Sequence, residues 1–594
     1  MKRKTENMRP SFARNGTTSV TAHLPELQGS EQPFITWRRR PTNTWSDRQA
    51  RRSVAMLCAI VLFASPGRGE ATQTEECIGG VKDSGILELA RMGAGISTIA
   101  TMDAAAATRI VLTPEVYSAT VLDIIARINT PISLTLRPGV AIDDASCDRL
   151  ASHRHLVHLA LPGLGVSPDG LVALMDSSCL RSLDLSDRDL TKADIEGFGC
   201  LKRLRRLGIN RSLLTDAQWR AIAGSSRLLE ELSCEGVTLS HEAWKAIQSM
   251  PRLRSLAIGG EGLARRDFDE LGKLVGLDRV AIHESKIGYA ELLPLAHLLR
   301  LKALDLNGSL LDEYCLRAIG EVGSLQELDL GRTPIRGQHI TSVANLPRLR
   351  TLVLKESQVD DDSVRIISSM RGLTTLNIEG CAAVSDDGLL SLGTLVGLEE
   401  LHASNSQLTD RGFGVASQLP GLRTLIAGGN AITAETMAVL IRCNHLKELR
   451  LRYPRHARPT EFVLSTMKSI ARLESLEVLD VSGLQQNEKS LSPLERLLFL
   501  KDLTLCESDL DDSAVKSLRP LKSLRHLDLR FNRGVGDGAI DPLLGCAQLK
   551  AVWVTGCGFT ELGIKKLGAA VLVHRPVGTT VITVTPVMRP VMQR

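Results

Sequence analysis

LTTLNIEGCAAVSDDGLLSLGTLVGL, residues 373–398, contains one complete copy of a unit that recurs along most of the chain. In a strand, successive side chains point to opposite faces. Leu376 and Ile378 are therefore expected to share a buried face. The side chains that alternate with them are expected to point outward: Thr375, Asn377 and Glu379. The unit thus begins with a short strand that has one buried and one displayed face.

The second half of the unit has the features of a short helix. Ser385 is a good N-cap residue, and Asp386 and Asp387 fall in the first turn, where acidic side chains suit the helix dipole. Leucines then recur every three residues, as expected for a helix with one buried side: Leu389, Leu392, Leu395 and Leu398. The unit is predicted to consist of a strand, a turn, a short helix and a second turn.

The last apolar residue of the strand, Ile378 in this copy, marks the register of the unit. The marks are Leu112, Leu136, Leu161, Leu185, Ile209, Cys234, Ile258, Ile282, Leu306, Leu330, Leu354, Ile378, Ala403, Ala427, Leu451, Val481, Leu505, Leu529 and Val554. Successive marks are 24 or 25 residues apart, except that 30 residues separate Leu451 from Val481. A register held over nineteen strands predicts a single solenoid in which each repeat packs on its neighbours.

Leu373, Leu376, Ile378 and Cys381 match L-x-x-L-x-L-x-x-N/C, so the chain resembles the leucine-rich-repeat superfamily over roughly 107–568. The N/C position is small and able to hydrogen-bond in eleven repeats: Ser212, Ser285, Ser309, Thr333, Ser357, Cys381, Ser406, Asn430, Ser508, Asn532 and Cys557. With helix starts such as Thr409-Asp410, the repeats look like the ribonuclease-inhibitor-like and cysteine-containing classes, the latter known from F-box substrate receptors. The resemblance implies an α/β horseshoe with a parallel sheet on its concave face and short helices on its convex face.

The regions outside the repeats differ in composition. Residues 1–52 hold eleven Lys or Arg against four Asp or Glu and are expected to be disordered. Residues 53–69 contain an apolar run of eleven followed by small residues, typical of a secretory signal or an anchor, with membrane association through 53–65. A buried segment capping the solenoid is the alternative. Residues 77–106 are predicted to form an N-terminal cap, and residues 569–594 a C-terminal cap and tail, with a capping strand at 571–573.

The twelve cysteines bear on localisation. They form no C-x-x-C pair and no cluster at either end of the repeats. Most occupy fixed positions of the repeat, so they are interpreted as small buried thiols. That usage favours a reducing, cytoplasmic compartment, whereas the apolar segment favours secretion or membrane anchoring. The conflict leaves both localisations open.

The sequence contains no recognisable catalytic, nucleotide-binding or metal-binding motif. The sequence lacks nucleotide-binding glycine patterns, a nucleophile elbow and H-E-x-x-H, and its thirteen histidines are scattered. We therefore expect no enzyme, no cofactor and no metal site. The formal net charge of +5 comes from residues 1–52, with a net of +7, and leaves −2 on the remainder, so no nucleic-acid partner is expected.

The displayed strand face is the expected site of protein binding. Its middle column changes from acidic near Asp305 to basic at Arg450, where the lengthened repeat begins. Tyr453 in that repeat is the expected anchor of a contact loop, since Tyr and Arg are enriched at binding hot spots; a merely solvated loop is the alternative. The candidate protein-binding residues are Asp305, Glu327, Asp329, His402, Arg450, Arg452, Tyr453, Arg455, Asp528 and Trp553.

Three functions remain compatible with the sequence. The first is a protein-binding scaffold or adaptor that uses the concave face. The second is the substrate-recognition subunit of an SCF-type ubiquitin ligase, although no F-box is recognisable before the repeats. The third is a secreted or surface effector. N-glycosylation sequons at Asn210 and Asn307 lie in displayed columns, where glycans would obstruct the face.

Overall fold

The computed structural model describes residues 89, 95–100, 106–163, 166–175, 177, 179–190, 202–443, 445–454, 458–568 and 571–574. Every described residue belongs to one compact unit, Ser65–Arg594. The predicted segments at 1–52 and 53–69, most of the predicted cap at 77–106 and the tail from residue 575 onward lie outside the described residues.

The described part of this unit is built on one long sheet. Its strands, together with those of a separate two-stranded sheet (β10 and β12), are β1 (Gly95–Ala100), β2 (Ala106–Leu112), β3 (Ile132–Leu136), β4 (Leu156–Ala160), β5 (Ser182–Asp184), β6 (Arg206–Gly208), β7 (Glu231–Ser233), β8 (Ser255–Gly259), β9 (Arg279–His283), β10 (Lys286–Ile287), β11 (Ala303–Asp305), β12 (Leu310–Leu311), β13 (Glu327–Asp329), β14 (Thr351–Val353), β15 (Thr375–Asn377), β16 (Glu400–His402), β17 (Thr424–Ile426), β18 (Glu448–Arg450), β19 (Val478–Asp480), β20 (Asp502–Thr504), β21 (His526–Asp528), β22 (Ala551–Trp553) and β23 (Leu572–His574).

The strands pair in chain order. β1 is antiparallel to β2, and each later strand of the main sheet is parallel to its predecessor, through β9 to β11, β11 to β13 and on to β23. β10 and β12 pair only with each other. β23 lies one residue beyond the strand predicted at 571–573.

The predicted fold class, an α/β leucine-rich-repeat solenoid, is confirmed. All nineteen register marks lie within a strand or directly after one, and each is at most 2% exposed. Leu352, Leu376 and Leu401 are register partners on consecutive strands and are likewise buried. Stacking of equivalent leucines gives one continuous core along the solenoid, because each repeat covers the apolar side of the next.

A short helix follows most strands. The α-helices are Ala119–Ala126, Asp144–Ser152, Pro168–Met175, Asp216–Ser225, His241–Gln248, Arg265–Leu271, Tyr289–Leu292, Cys315–Gly320, Thr341–Ala344, Asp361–Ile367, Asp386–Ser391, Asp410–Phe413, Ala434–Leu440, Thr460–Ile470, Glu488–Leu491, Asp512–Lys516, Ile540–Leu544 and Glu561–Gly568. The 3₁₀ helices are Leu293–His297, Gly337–Ile340, Leu392–Thr394, Gly414–Gln418, Ser492–Arg496 and Asp537–Ala539. Ser385 caps its helix as predicted, by accepting a hydrogen bond from the Asp387 amide.

The first aspartate of several helices also binds the next repeat. Asp386 accepts hydrogen bonds from the Thr409 amide (2.9 Å) and hydroxyl (2.5 Å), and Asp410 accepts them from the Thr433 amide (2.8 Å) and hydroxyl (2.6 Å). The same contact joins Asp361 to Ser385. These aspartates therefore tie adjacent helices together besides interacting with the helix dipole.

The side chains at the N/C position, here called the polar turn column, hydrogen-bond backbone groups that stacking would otherwise leave unpaired. Asn430 donates to the Ala403 carbonyl (2.6 Å) in the preceding repeat and accepts from the Ser406 amide (3.1 Å). In a later repeat, Asn532 likewise donates to the Leu505 carbonyl and accepts from the Ser508 amide. Cys381 donates its thiol to the Leu354 carbonyl (3.1 Å). Buried amides and carbonyls are thus paired across the repeats.

Candidate protein-binding face

The outward residues of the parallel strands form three aligned columns, here called the sheet face. The column predicted as the middle one is the last residue of most strands, and its members are register partners, as Asp305, Asp329 and Val353 show. A second column holds the first residue of each three-residue strand, and a third holds the residue directly after each register mark. Every candidate in the described residues except Tyr453 belongs to this face.

The acidic and amide residues of the middle column bind their own backbone. Each side chain accepts a hydrogen bond at 2.8 to 3.0 Å from the amide two residues later: Asp184, Asp305, Asp329, Asn377, Asp480 and Asp528. This contact shapes the turn that follows the strand. Asp305, Asp329 and Asp528 were predicted as contact residues, so they have this structural role as well.

His283 lies between two carboxylates on the sheet face. Its Nδ1 is 3.1 Å from Glu235 Oε1, and its Nε2 is 3.1 Å from Asp305 Oδ2. The second contact is an ion pair that is poorly aligned for a hydrogen bond. Burial by itself lowers the pKa of His283, but the two carboxylates outweigh it and raise the pKa to about 10. His283 is therefore positively charged at neutral pH.

Asp329, on the strand next to Asp305, adds a further carboxylate; Asp305, Glu327 and Asp329 are here called the acidic section. Burial and the charge of Asp305 raise the pKa of Asp329 to about 7, against the opposing effects of the Gly331 amide, Asn307 and His283. Burial also raises the pKa of Glu327, which Arg279 partly offsets. Asp305 itself is only 5% exposed, so it acts on its neighbours more than on the surface.

The sequence did not single out His283 or Glu235. Both occupy the column that directly follows the register marks Ile282 and Cys234. Inspection of that column for charged residues would have found them, because the repeat spacing places it on the same face.

His402 lies on β16 between charged neighbours. Burial lowers its pKa, although Glu448 and Glu379 act in the opposite direction. The imidazole is therefore neutral at physiological pH. It can donate or accept a hydrogen bond there, which suits a contact residue.

The predicted basic section is divided into separate ion pairs. Arg450 Nε is 2.5 Å from Glu448 Oε1 within the same strand, and its side chain is largely buried. Arg452 Nη2 is 3.3 Å from Glu507 Oε1, with more than half of its side chain exposed. Arg455 lies outside the described residues. Of the two described arginines, Arg452 is therefore the more accessible.

Tyr453 is not an exposed anchor, which corrects the expectation drawn from the sequence. It is 5% exposed and belongs to the hydrophobic core. The Arg458 guanidinium carbon lies 5.3 Å from the centre of the Tyr453 ring and 4.9 Å from that of Phe462. This cation–π contact packs Arg458 against the core directly before the helix Thr460–Ile470.

The last strands of the face carry an aromatic and an ion pair. Trp553 is partly buried, and its ring lies edge-on to that of His526 with 6.5 Å between centres. Arg530 Nη2 is 2.7 Å from Asp528 Oδ2. Trp553 is thus an aromatic side chain on the sheet face next to a positioned arginine, a composition typical of interface hot spots.

The two displayed sequons differ in accessibility. The Asn210 side chain is buried and accepts hydrogen bonds from the Ser233 hydroxyl (2.6 Å) and the Glu235 amide (2.8 Å). Asn307 is partly buried and hydrogen-bonds Asp329. In the folded state both amides are therefore engaged in protein contacts.

The thiols and other groups of the described residues can be placed as well. Cys234, Cys315 and Cys381 are buried, and burial raises the pKa of each thiol. In the described ranges, no cluster of three or more His, Cys, Asp or Glu side chains has the arrangement of a metal site. None of the helices seen there is both long and apolar enough to span a bilayer.

Comparisons with known proteins give likeness in fold. No family model and no curated protein matches the chain. Among solved structures, an internalin from Listeria monocytogenes is 21% identical, with a TM-score of 0.38, covering 57% of this chain and 88% of its own. A leucine-rich-repeat protein of Leptospira interrogans is 18% identical, with a TM-score of 0.35, covering 71% and 97%.

The mouse RP105/MD-1 complex contains a further chain of this kind, 16% identical, with a TM-score of 0.47, covering 76% of this chain and 88% of its own. At these levels of identity, the register of the repeats and the observed sheet carry the assignment. Repeat length, parallel strands, the polar turn column and the alternating short helices together give the chain the fold of a leucine-rich-repeat solenoid.

Proposed function

We propose that this chain is a non-enzymatic protein-binding scaffold whose contact surface is the sheet face. The observation that carries the proposal is the alignment of outward side chains, in which register partners repeat from β4 to β22. Such a surface is long, pre-formed and varied in charge, and solenoids use extended surfaces of this kind for recognition. A rigid surface loses little conformational entropy on binding.

Different residues have different roles in this proposal. The contact residues are Glu327, Asp329, His402, Arg450, Arg452, Asp528 and Trp553. Asp305 sets the charge of Asp329 and His283 from below the surface. Tyr453 packs in the core of the lengthened repeat, and Arg455 stays a predicted contact residue. The acidic and basic sections would orient a partner along the solenoid by charge complementarity.

The experiment is photo-crosslinking in the cells that produce the protein. A benzoylphenylalanine replaces Thr351 on β14 or Thr424 on β17, both partly exposed in the column formed by the first strand residues. The matched control replaces Arg365, which is exposed on the helix Asp361–Ile367. Mass spectrometry then identifies the crosslinked chains.

We expect the two strand positions to crosslink the same protein and Arg365 not to do so. A partner recovered only through Arg365, or equally through all three positions, would contradict binding at the sheet face. A variant carrying Arg452→Glu and Trp553→Ala should lose the crosslink formed through Thr424.

The ubiquitin-ligase and secreted-effector alternatives remain predictions. They differ in the mature N-terminus and in thiol state, which intact-mass and peptide mass spectrometry of the native protein would measure. Loss of residues up to about Gly69 would favour a secreted or surface role. An intact N-terminus with reduced cysteines would favour an intracellular adaptor or ligase receptor.

A further inference from the structure

An exposed patch lies on the side of the solenoid, away from the sheet face. It consists of Tyr289, Leu310 and Tyr314, which are 37%, 63% and 51% exposed. Two of the four tyrosines in the chain are thus exposed in neighbouring repeats. Tyrosine combines a large apolar ring with a polar hydroxyl and is enriched at protein interfaces. We call these three residues the tyrosine patch.

One carboxylate fixes the geometry of the patch. Asp312 accepts a hydrogen bond from the Tyr289 amide at Oδ2 and another from the Tyr314 amide at Oδ1, both 2.9 Å long. Leu310 precedes Asp312 by two residues and therefore points to the same side of the extended chain. The two repeats are further joined where β10 pairs with β12, with Lys286 opposite Leu310. The patch is thus pre-organised across two repeats.

The charge around the patch is acidic. In residues 284–291 and 310–317, the carboxylates are Glu284, Glu291, Asp312 and Glu313, and the cations are Lys286 and Arg317. Glu291 turns back to its own helix start, where it accepts from the Gly288 amide (3.1 Å). Glu313 hydrogen-bonds the Tyr314 side chain, so a carboxylate lies directly at the edge of the exposed ring.

We propose that the tyrosine patch is a second protein-docking surface, which binds a partner segment that carries an apolar side chain beside lysine or arginine. The apolar side chain would pack on Leu310 and the two rings. The cation would lie near Glu313 and over the face of an exposed tyrosine, where the ring quadrupole attracts it. This surface is independent of the sheet face, so either can fail without the other.

The test uses the full chain and a phage-displayed library of random dodecapeptides. Selection on the unaltered protein is compared with selection on the triple variant Tyr289→Ala, Leu310→Ser, Tyr314→Ala. The matched control is Leu213→Ser, because Leu213 also follows a buried turn serine, Ser212, and is 62% exposed. Thermal unfolding followed by circular dichroism verifies that each variant keeps the solenoid.

We expect the unaltered protein and Leu213→Ser to enrich the same peptides, in which Lys or Arg stands next to an apolar residue. A synthetic copy of such a peptide should bind the triple variant at least about tenfold more weakly, as expected from losing one interface hot spot. The charge reversal Glu313→Lys should weaken binding similarly. Enrichment of acidic peptides, or of none that depends on the patch, would overturn the proposal.

Discussion

At the scale of single residues, the sheet face is controlled by how closely its charges lie. His283 has a carboxylate 3.1 Å away on each side, and Asp305 faces Asp329 on the neighbouring strand. Parallel strands lie about 4.8 Å apart, so two carboxylates in register repel one another strongly. The structure relieves that repulsion by placing His283 beside the pair and by keeping Asp329 near its point of protonation.

Asp329→Asn should change how stability depends on pH. In the folded chain the pKa of Asp329 is about 7, well above the value of about 4 in an unfolded chain, so folding favours the protonated form. Its contribution to the free energy of unfolding is fully present below about pH 4 and is lost as the pH rises through 7. The slope is at most about 1.4 kcal/mol per pH unit.

Thermal unfolding at pH 5, 6, 7 and 8 measures this effect. We expect the midpoint of the unaltered protein, relative to that of Asp329→Asn, to fall as the pH rises. Subtracting the variant removes the contributions of the other titrating groups. A difference that stays constant across these pH values would show that Asp329 is not held near neutrality.

The backbone is left-handed two residues after many register marks, and glycine occupies several of these positions. Gly380 has φ +72°, and a Cβ there would lie 2.9 Å from Glu356 Cγ of the preceding repeat. Gly380→Ala should therefore lower the free energy of unfolding by about 1–2 kcal/mol. Gly224→Ala is the control, since Gly224 lies in the helix Asp216–Ser225 with open space around it, and it should be stabilising by about 0.5–1 kcal/mol.

Chemical denaturation of the two variants gives the comparison. Gly380→Ala with unchanged stability would mean that the left-handed turn does not hold at that position. The sequence predicted neither outcome, because the same position is occupied by Arg211, Glu284 and Glu356 in other repeats. The need for glycine at residue 380 is evident only from the structure, in which the side chain of the preceding repeat lies over it.

At the scale of elements, the aspartates at helix starts bind neighbouring repeats to one another. The sequence predicted them as helix-dipole and capping groups, and the caps at Ser385 and Thr409 are observed. The contact from Asp386 to Thr409 depends on how closely two adjacent repeats stack. That information lies in the assembled solenoid and not in one repeat alone.

Asp410→Ala should therefore cost more than Asp387→Ala. Asp410 accepts hydrogen bonds from the amides of Thr433 and Thr436 at 2.8 and 3.2 Å, and its loss leaves these partly buried groups unpaired, at a cost of about 2 kcal/mol. Asp387 makes an exposed ion pair with Arg411 and should cost at most about 1 kcal/mol. Equal effects in urea denaturation would argue against ties between repeats.

The lengthened repeat shows where prediction from sequence ended. Six additional residues and several basic side chains indicated a loop, and the residues alone gave no sign that Arg458 would pack on Tyr453 and Phe462. Tyr453 was expected at the surface because tyrosine suits interfaces. The helix Thr460–Ile470 instead supplies Phe462, which together with the ring of Tyr453 closes the core of that repeat.

At the scale of the whole molecule, spacing predicted a solenoid, and the resemblance to leucine-rich repeats implied its parallel sheet and short helices. Nineteen register marks specify which side chains are buried, and the sheet follows from stacking them. The site was harder to predict, because a binding face differs from a merely solvated one only by ion pairs, burial and exposure. Residue spacing placed Asp329, Arg452 and Trp553 on one face, but the pairing of His283 and the burial of Asp305 needed three-dimensional contacts.

The central claim is that every repeat is held in one register by its neighbours, so that the sheet face exists as a continuous surface. Hydrogen–deuterium exchange of the full chain carrying Leu376→Asp tests it most directly. Leu376 is fully buried between Leu352 and Leu401, and an unpaired carboxylate there should cost more than about 4 kcal/mol locally. We predict faster exchange in β14, β15 and β16, with little change in β3 or β21. Unchanged exchange at β15, or uniform loss of protection along the whole chain, would contradict the account.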